Sequence, residues 1–370
     1  MIDILINNSR VSLKLVIFRA ARKCLRLVML SVYSEEHRLR NPKTELNGGK
    51  LVTPFECPVR VEYILERLKS EKIGHIIKPK EFGLDPISRI HDTHFLTFLE
   101  QCWGDWVASG YEGEAIPIVW PSRAMPRKRI PNQIDGKMGY YALAGDTAIS
   151  NGTWEAARAS ANVALTAQEA IRNGAKEAFA LCRPPGHHAS SDMYGGYCFI
   201  NNAAIAAQAF IDQGASRVAI IDVDFHHGNG TQDIFYNRSD VMFLSLHGDP
   251  KDAFPHFLGY DDEKGAGNGE GFNFNYPMGP STSFKTWGSA LNQACKKVAN
   301  YAPDALIISL GVDTFENDPI SFFKLQSDDF KRYGATIGAL KLPTLFIMEG
   351  GYAVEEIGIN AVNVLQGYEG

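Results

Sequence analysis

The sequence predicts an α/β protein built on one open, mostly parallel sheet with helices on both faces. Three observations carry this reading. Short apolar runs recur: AFALC (178–182), RVAIIDVDF (217–225), VMFLSLHG (241–248), ALIISLGVD (305–313) and PTLFIMEGG (343–351). They are apolar at successive positions, as strands covered on both faces are. Helical stretches separate them, and each ends in, or runs into, a polar cluster. In open parallel sheets, ligands bind beyond the carboxyl ends of the strands.

The elements follow in order. The first 28 residues include VSLKLVIFRAARKCLRLVML, apolar but interrupted by Lys14, Arg19, Arg22, Lys23 and Arg26. No uninterrupted apolar run of about 18 residues is left to span a membrane. No small-residue cleavage site follows a clean apolar core. The stretch reads as a dispensable extension rather than a basic helix on a membrane surface. The working domain is expected over 29–370, with no linker or repeat from Ser31 onward. Segment 103–152, with GYEGEAIPIVWPSRAMPRKRIPNQ, lacks clear periodicity and reads as a functional or interaction loop.

TWEAARASANVALTAQEAIRNG (153–174) reads as a helix, with Thr153 at its start, Glu155 in its first turn and Gly174 just past its end. FINNAAIAAQAFIDQG (199–214) is a second, Ala-rich helix ending at glycine. Further helical stretches are expected near 283–300 and 327–340.

Composition narrows the function classes. With 45% hydrophobic and 21% charged residues the chain can bury a large core, and its net charge of −5 argues against a nucleic-acid binder. The cysteines Cys24, Cys57, Cys102, Cys182, Cys198 and Cys295 form no CxxC and fit free thiols in a reducing cytoplasm.

The polar ends of the strands hold the chemistry. Asp224 and His226, two apart on an expected extended strand, point to one side and offer a carboxylate and an imidazole. Asp313 ends a neighbouring strand. Three O/N ligands with a fourth position open form the catalytic pattern for zinc. The lack of a thiolate leaves Fe(II), Co(II) and Mn(II) open. His187 and His188 in RPPGHH titrate near neutral pH and suit proton transfer. Asp222 and Asn229 are their expected partners, and a carboxylate and an amide would hold the two imidazoles in different charge states. Tyr352 in EGGY is a phenol donor for a developing oxyanion. Together these parts describe metal-assisted amide hydrolysis without a Ser or Cys nucleophile.

The motifs RPPGHH, GGYCFINNAAIAA, DVDFHHGNGTQDIF, SLHGDP, GVD and EGGYAVEEIG resemble the zinc-dependent histone deacetylase family, and more narrowly its bacterial acetylpolyamine amidohydrolase branch. The similarity runs from about Met29 to the C-terminus. It implies the arginase/deacetylase fold in one domain and hydrolysis of N-acetylated amines such as acetylputrescine and acetylcadaverine. It implies Asp224, His226 and Asp313 as metal ligands, His187 and His188 as the proton-transfer pair, and Tyr352 as the oxyanion donor. It implies Tyr197 and Phe254 as aromatic walls of a substrate tunnel, and Asp222, Ser245 and Leu246 as part of a potassium site. Asp146 takes the place of the branch's acidic gatekeeper glutamate, one methylene shorter, and Glu112, Glu114 and Asp135 are further candidate charges. The resemblance also implies a homodimer formed through 103–152. The competing readings are a protein acetyl-lysine deacetylase, a noncatalytic binder of acetylated ligands, and a dinuclear ureohydrolase relative.

Overall fold

The computed structural model describes residues 29–370. The expectations about residues 1–28, Cys24 included, lie outside the described residues. The main sheet has eight strands: β1 (Leu30–Val32), β4 (His75–Ile77), β5 (Glu177–Ala180), β6 (Val218–Asp222), β7 (Val241–Gly248), β8 (Asn273–Met278), β9 (Ala305–Leu310) and β10 (Thr344–Met348). Their order is β4-β1-β5-β10-β9-β6-β7-β8, and every pairing is parallel. A separate antiparallel hairpin pairs β2 (Glu45–Asn47) with β3 (Lys50–Val52) across Gly48-Gly49.

Apolar runs become two-faced strands because successive side chains alternate. Val218, Ile220, Phe243, Ile307 and Ile347 face one layer, with the helices Thr153–Arg172 and Asn202–Asp212. Ile221, Leu244, Ile308, Phe346 and Met348 face the other, with Val59–Ser70, Phe284–Tyr301, Ser327–Gly338 and Val354–Glu369. Burying both faces favours folding by about 25 cal/mol per Å² of apolar surface. That burial leaves charged carboxylates a place at the strand ends rather than within the apolar layers.

The five expected strands are the five consecutive central ones, β5-β10-β9-β6-β7. Being parallel, they deliver all five polar ends to one edge. Two expectations need correcting. β6 stops at Asp222 and β9 at Leu310, so Asp224, His226 and Asp313 lie in bends beyond the strands and not on them. Backbone amides there donate to carboxylates (Asp224 N to Asp222, 3.1 Å; Phe225 N to Asp313, 2.7 Å; His226 N to Asp224, 2.9 Å) where ladder bonds would otherwise form. Segment 103–152 is also less irregular than its composition suggests. It contains the end of the helix Thr93–Ala108 and the helix Ile134–Tyr141.

Candidate active site

The bends after β6 and β9 bring Asp224, His226 and Asp313 together, with one ligand atom from each within 4.8 Å of the others. His226 Nδ1 lies 2.9 Å from Asp313 Oδ2 and 3.4 Å from Asp224 Oδ1. Both aspartates have no exposed surface. Burial, then the neighbouring Asp224 charge, pushes the Asp313 carboxyl up to about 8. Crowding two carboxylates in a dry site is costly unless a cation neutralises them. The donor set is two oxygens and one nitrogen, which fits a divalent metal ion of the zinc type.

His187 and His188 sit above this cluster in the loop after β5, with ring centroids 4.0 Å apart. Their partners are those expected. His187 Nδ1 is 3.0 Å from Asp222 Oδ2, and His188 Nδ1 is 2.7 Å from Asn229 Oδ1. Burial disfavours charge on both rings. At His187, Asp224 and Asp222 outweigh burial and raise the pKa to about 10. At His188, burial is reinforced by the adjacent imidazoles His187 and His226, and the pKa falls well below the usual value. An amide oxygen accepts, so His188 Nδ1 carries the proton and Nε2 keeps its lone pair. Gly196, at φ +54°, closes the loop over His188; a Cβ there would collide with the His188 ring.

Tyr352 follows β10 and its phenol folds back toward the ligands. A Cβ on Gly350 would lie 2.7 Å from Asp224 Oδ2, 2.9 Å from Asp313 Oδ2 and 3.1 Å from the Tyr352 hydroxyl, so only glycine leaves the three room to converge. Burial pushes the Tyr352 phenol well above its usual pKa, so it is a donor at neutral pH.

A cavity of about 450 Å³ opens onto this floor, lined by His188, His226, Tyr352, Tyr197, Phe254 and Asp146 among others. Phe254 stands edge-on to His188 at 5.0 Å, and Tyr197 packs against Tyr352 at 5.5 Å. Glu45 and Asp252 also line the cavity, and among the described residues no Lys or Arg does. Burial raises the Asp146 carboxyl, whose Oδ1 accepts from the Thr147 hydroxyl at 2.7 Å. Glu112, Glu114 and Asp135 are absent from the lining; Glu114 instead accepts from the Lys43 and Thr44 amides. Ser245 pairs with Asp222 in the β6–β7 register, with Leu246 next to it in the chain.

Some residues of the site escape sequence reasoning. Glu45, from the hairpin, accepts a 2.8 Å bond from the Tyr197 hydroxyl. Glu349 accepts from the Gly186 and His187 amides. Beneath Tyr352, buried Glu56 is held by Arg183 (2.6 Å) and Arg60 (3.0 Å); Arg60 also bonds the Gly351 and Glu349 carbonyls and lies 4.9 Å from the Tyr352 ring centroid. Of these, Glu349 falls inside EGGYAVEEIG and Arg183 inside RPPGHH. Glu45, Glu56 and Arg60 come from the N-terminal third, outside every motif.

Comparison with known proteins agrees with this geometry. Residues 54–368 match the histone deacetylase domain. The chain is 58% identical over 343 residues to acetylpolyamine amidohydrolase 1 of Pseudomonas aeruginosa, covering 92% of this chain and 99% of that protein. It is 55% identical over 342 residues to the acetylpolyamine amidohydrolase of Mycoplana ramosa, covering 92% and 100%. The crystal structure of acetylpolyamine aminohydrolase from Burkholderia pseudomallei superposes with a TM-score of 0.88 at 39% identity, covering 92% of this chain and 98% of that one. The chain belongs to the histone deacetylase family and, within it, to the acetylpolyamine amidohydrolase branch.

Proposed function

We propose that the chain hydrolyses N-acetylated polyamines such as acetylputrescine and acetylcadaverine, releasing acetate and the free amine. The observation that carries this reading is the cavity lining. Among the described residues, three carboxylates, Glu45, Asp146 and Asp252, and no Lys or Arg line the cavity that opens onto the buried Asp224–His226–Asp313 cluster. Aromatic walls at Tyr197 and Phe254 suit a methylene chain, and the acidic mouth suits its cationic end.

Zinc held by Asp224, His226 and Asp313 would supply Lewis-acid activation of the acetyl carbonyl and of the water that attacks it. The remaining work falls to side chains. His188 Nε2, neutral and unprotonated, takes the proton of the attacking water and returns it to the leaving nitrogen. His187, held as imidazolium between Asp222 and Asp224, keeps positive charge beside the carbonyl. The Tyr352 phenol donates to the carbonyl oxygen as it gains charge. Asp222, Ser245 and Leu246 are assigned to a structural potassium ion.

Residues 29–370 form the catalytic domain in this reading, and residues 1–28 are dispensable. A chain beginning at Met29 that keeps turnover supports that boundary; one that fails to fold removes it. Segment 103–152 forms a homodimer interface, supported by exposed Ile118, Val119, Met125 and Ile130. The five cysteines of the described residues are free, in keeping with a cytoplasmic protein. No helix among the described residues is long and apolar enough to cross a membrane.

The test is a substrate profile. Acetylcadaverine and acetylputrescine are expected to turn over with higher kcat/KM than an acetyl-lysine peptide. Turnover of the peptide alone would replace this reading with a protein deacetylase. Metal-loaded protein inert toward every acetylated amine would replace it with a binding function.

A further inference from the structure

Asp318 lies in the loop after β9, is 6% exposed and does not line the cavity. Its carboxylate accepts three backbone N–H bonds from two segments. Oδ1 takes Ile320 N at 3.1 Å; Oδ2 takes Tyr352 N at 2.7 Å and Ala353 N at 3.3 Å. Ile320 lines the substrate cavity and Tyr352 carries the phenol, so one buried carboxylate ties a channel wall to the oxyanion donor.

The other anchors of the turn Gly350–Ala353 fall on its flanking residues, and at its far end the Ala353 carbonyl accepts from Glu356 N (3.1 Å) and Ile357 N (2.9 Å). Gly350 N donates to Asp224 at 2.8 Å, Gly350 O accepts from Val312 N at 2.9 Å, and Gly351 O accepts from Arg60 at 2.6 Å. Gly351, at φ +133°, is a pivot between those anchors and the phenol. The Asp318 bond alone falls on the backbone of Tyr352 itself. Burying a carboxylate is costly, and charge-assisted bonds to backbone amides are what repay it here.

We propose that Asp318 is a positioning residue that clamps the Tyr352 backbone and so aims its phenol at the Asp224–His226–Asp313 cluster. This rests on the reading of Tyr352 as the oxyanion donor. The clamp acts through Tyr352 and touches neither substrate nor metal ligand.

The test is a double-mutant cycle in the metal-loaded full chain, combining Asp318→Ala and Asp318→Asn with Tyr352→Phe. Asp318→Ala is expected to lower kcat on acetylcadaverine by about 100-fold, the cost of misplacing a catalytic group by roughly 1 Å. In the Tyr352→Phe background the same change is expected to lower kcat no further. Asp318→Asn, whose amide oxygen still accepts, should recover most of the loss. A second readout does not need turnover: 3-fluorotyrosine at position 352 should give one sharp 19F resonance that broadens or splits in the Asp318→Ala chain, at unchanged metal content.

Equal fractional losses in both backgrounds would assign Asp318 to general folding and overturn the clamp. So would an undiminished kcat in folded Asp318→Ala, or an unchanged resonance. If Asp318→Ala fails to fold, Asp318→Ser, whose short hydroxyl cannot accept from both segments, takes its place in the cycle and decides by the same criteria. If the unsubstituted chain cleaves no acetylated amine, the functional reading fails, while the 19F resonance still decides the clamp.

Discussion

The tandem histidines show how far single residues explain the site. His187 and His188 are chemically identical and adjacent, yet one faces a carboxylate and the other an amide. Burial disfavours charge on both rings, but Asp224 and Asp222 outweigh it at His187, whereas at His188 the neighbouring imidazoles reinforce it, which is the basis for proposing His188 as the base. Asn229→Asp gives His188 a carboxylate partner and favours its protonated form. The base must be neutral to work, so the acidic limb of the kcat/KM profile is expected to move up by about 1–3 pH units. An unmoved limb would remove His188 from the base role. At Tyr352, a change to Phe deletes only the donor hydroxyl; kcat should fall by about 10²- to 10³-fold while elemental analysis finds the metal retained. The residues at the strand ends are legible in the sequence because their burial would otherwise be prohibitive. Asp222, Asp224, His187, His226 and Asp313 all follow from that argument. Glu45 and Asp318 do not. Each is a lone acid in a loop or hairpin, with partners that only tertiary structure supplies.

Among elements, the central strands are readable and the periphery is not. β5, β6, β7, β9 and β10 carry near-continuous apolar runs, so their existence follows from pattern, although all but β7 end two or three residues short of the expected residue. β1 and β4 span three residues each, too few for a period to show. The N-terminal elements matter through Glu56, which three arginines surround: Arg183 and Arg60 by hydrogen bonds and Arg40 at 3.6 Å. Burial acts to raise this carboxyl, but Arg183, Arg60 and Arg40 outweigh it and hold it at about 2. A depressed carboxyl contributes stability that is full above its ordinary value of 4.5 and is lost as pH falls toward 2. Glu56→Gln, which leaves buried guanidiniums uncompensated, is expected to cost about 3–5 kcal/mol at pH 7. It should also flatten the acid side of the stability curve. Urea titrations of both proteins between pH 3 and pH 7 measure this. Equal midpoints across that range would show that the cluster contributes nothing to folding.

The whole molecule is a sheet whose parallel order gathers five loops at one edge, and the chemistry follows from that convergence. Its class is legible because strands covered on both faces need helices on both sides. The mouth is less so, since hairpin, loop and cavity wall come from segments without a common period. Exposed Ile118, at 77%, sits in the segment assigned to the dimer. Ile118→Asp is expected to shift sedimentation from dimer to monomer; a monomeric unsubstituted chain would remove that interface.

The central claim is that Asp224, His226 and Asp313 hold one divalent ion on which acetate release depends. The direct measurement is metal content per chain alongside acetate release from acetylcadaverine, before chelation, after it, and after adding zinc back. About one ion per chain is expected, with activity lost and regained in step, and an Asp313→Ala chain that neither binds nor recovers. Full activity in metal-free protein, or in metal-free Asp313→Ala, would contradict the account.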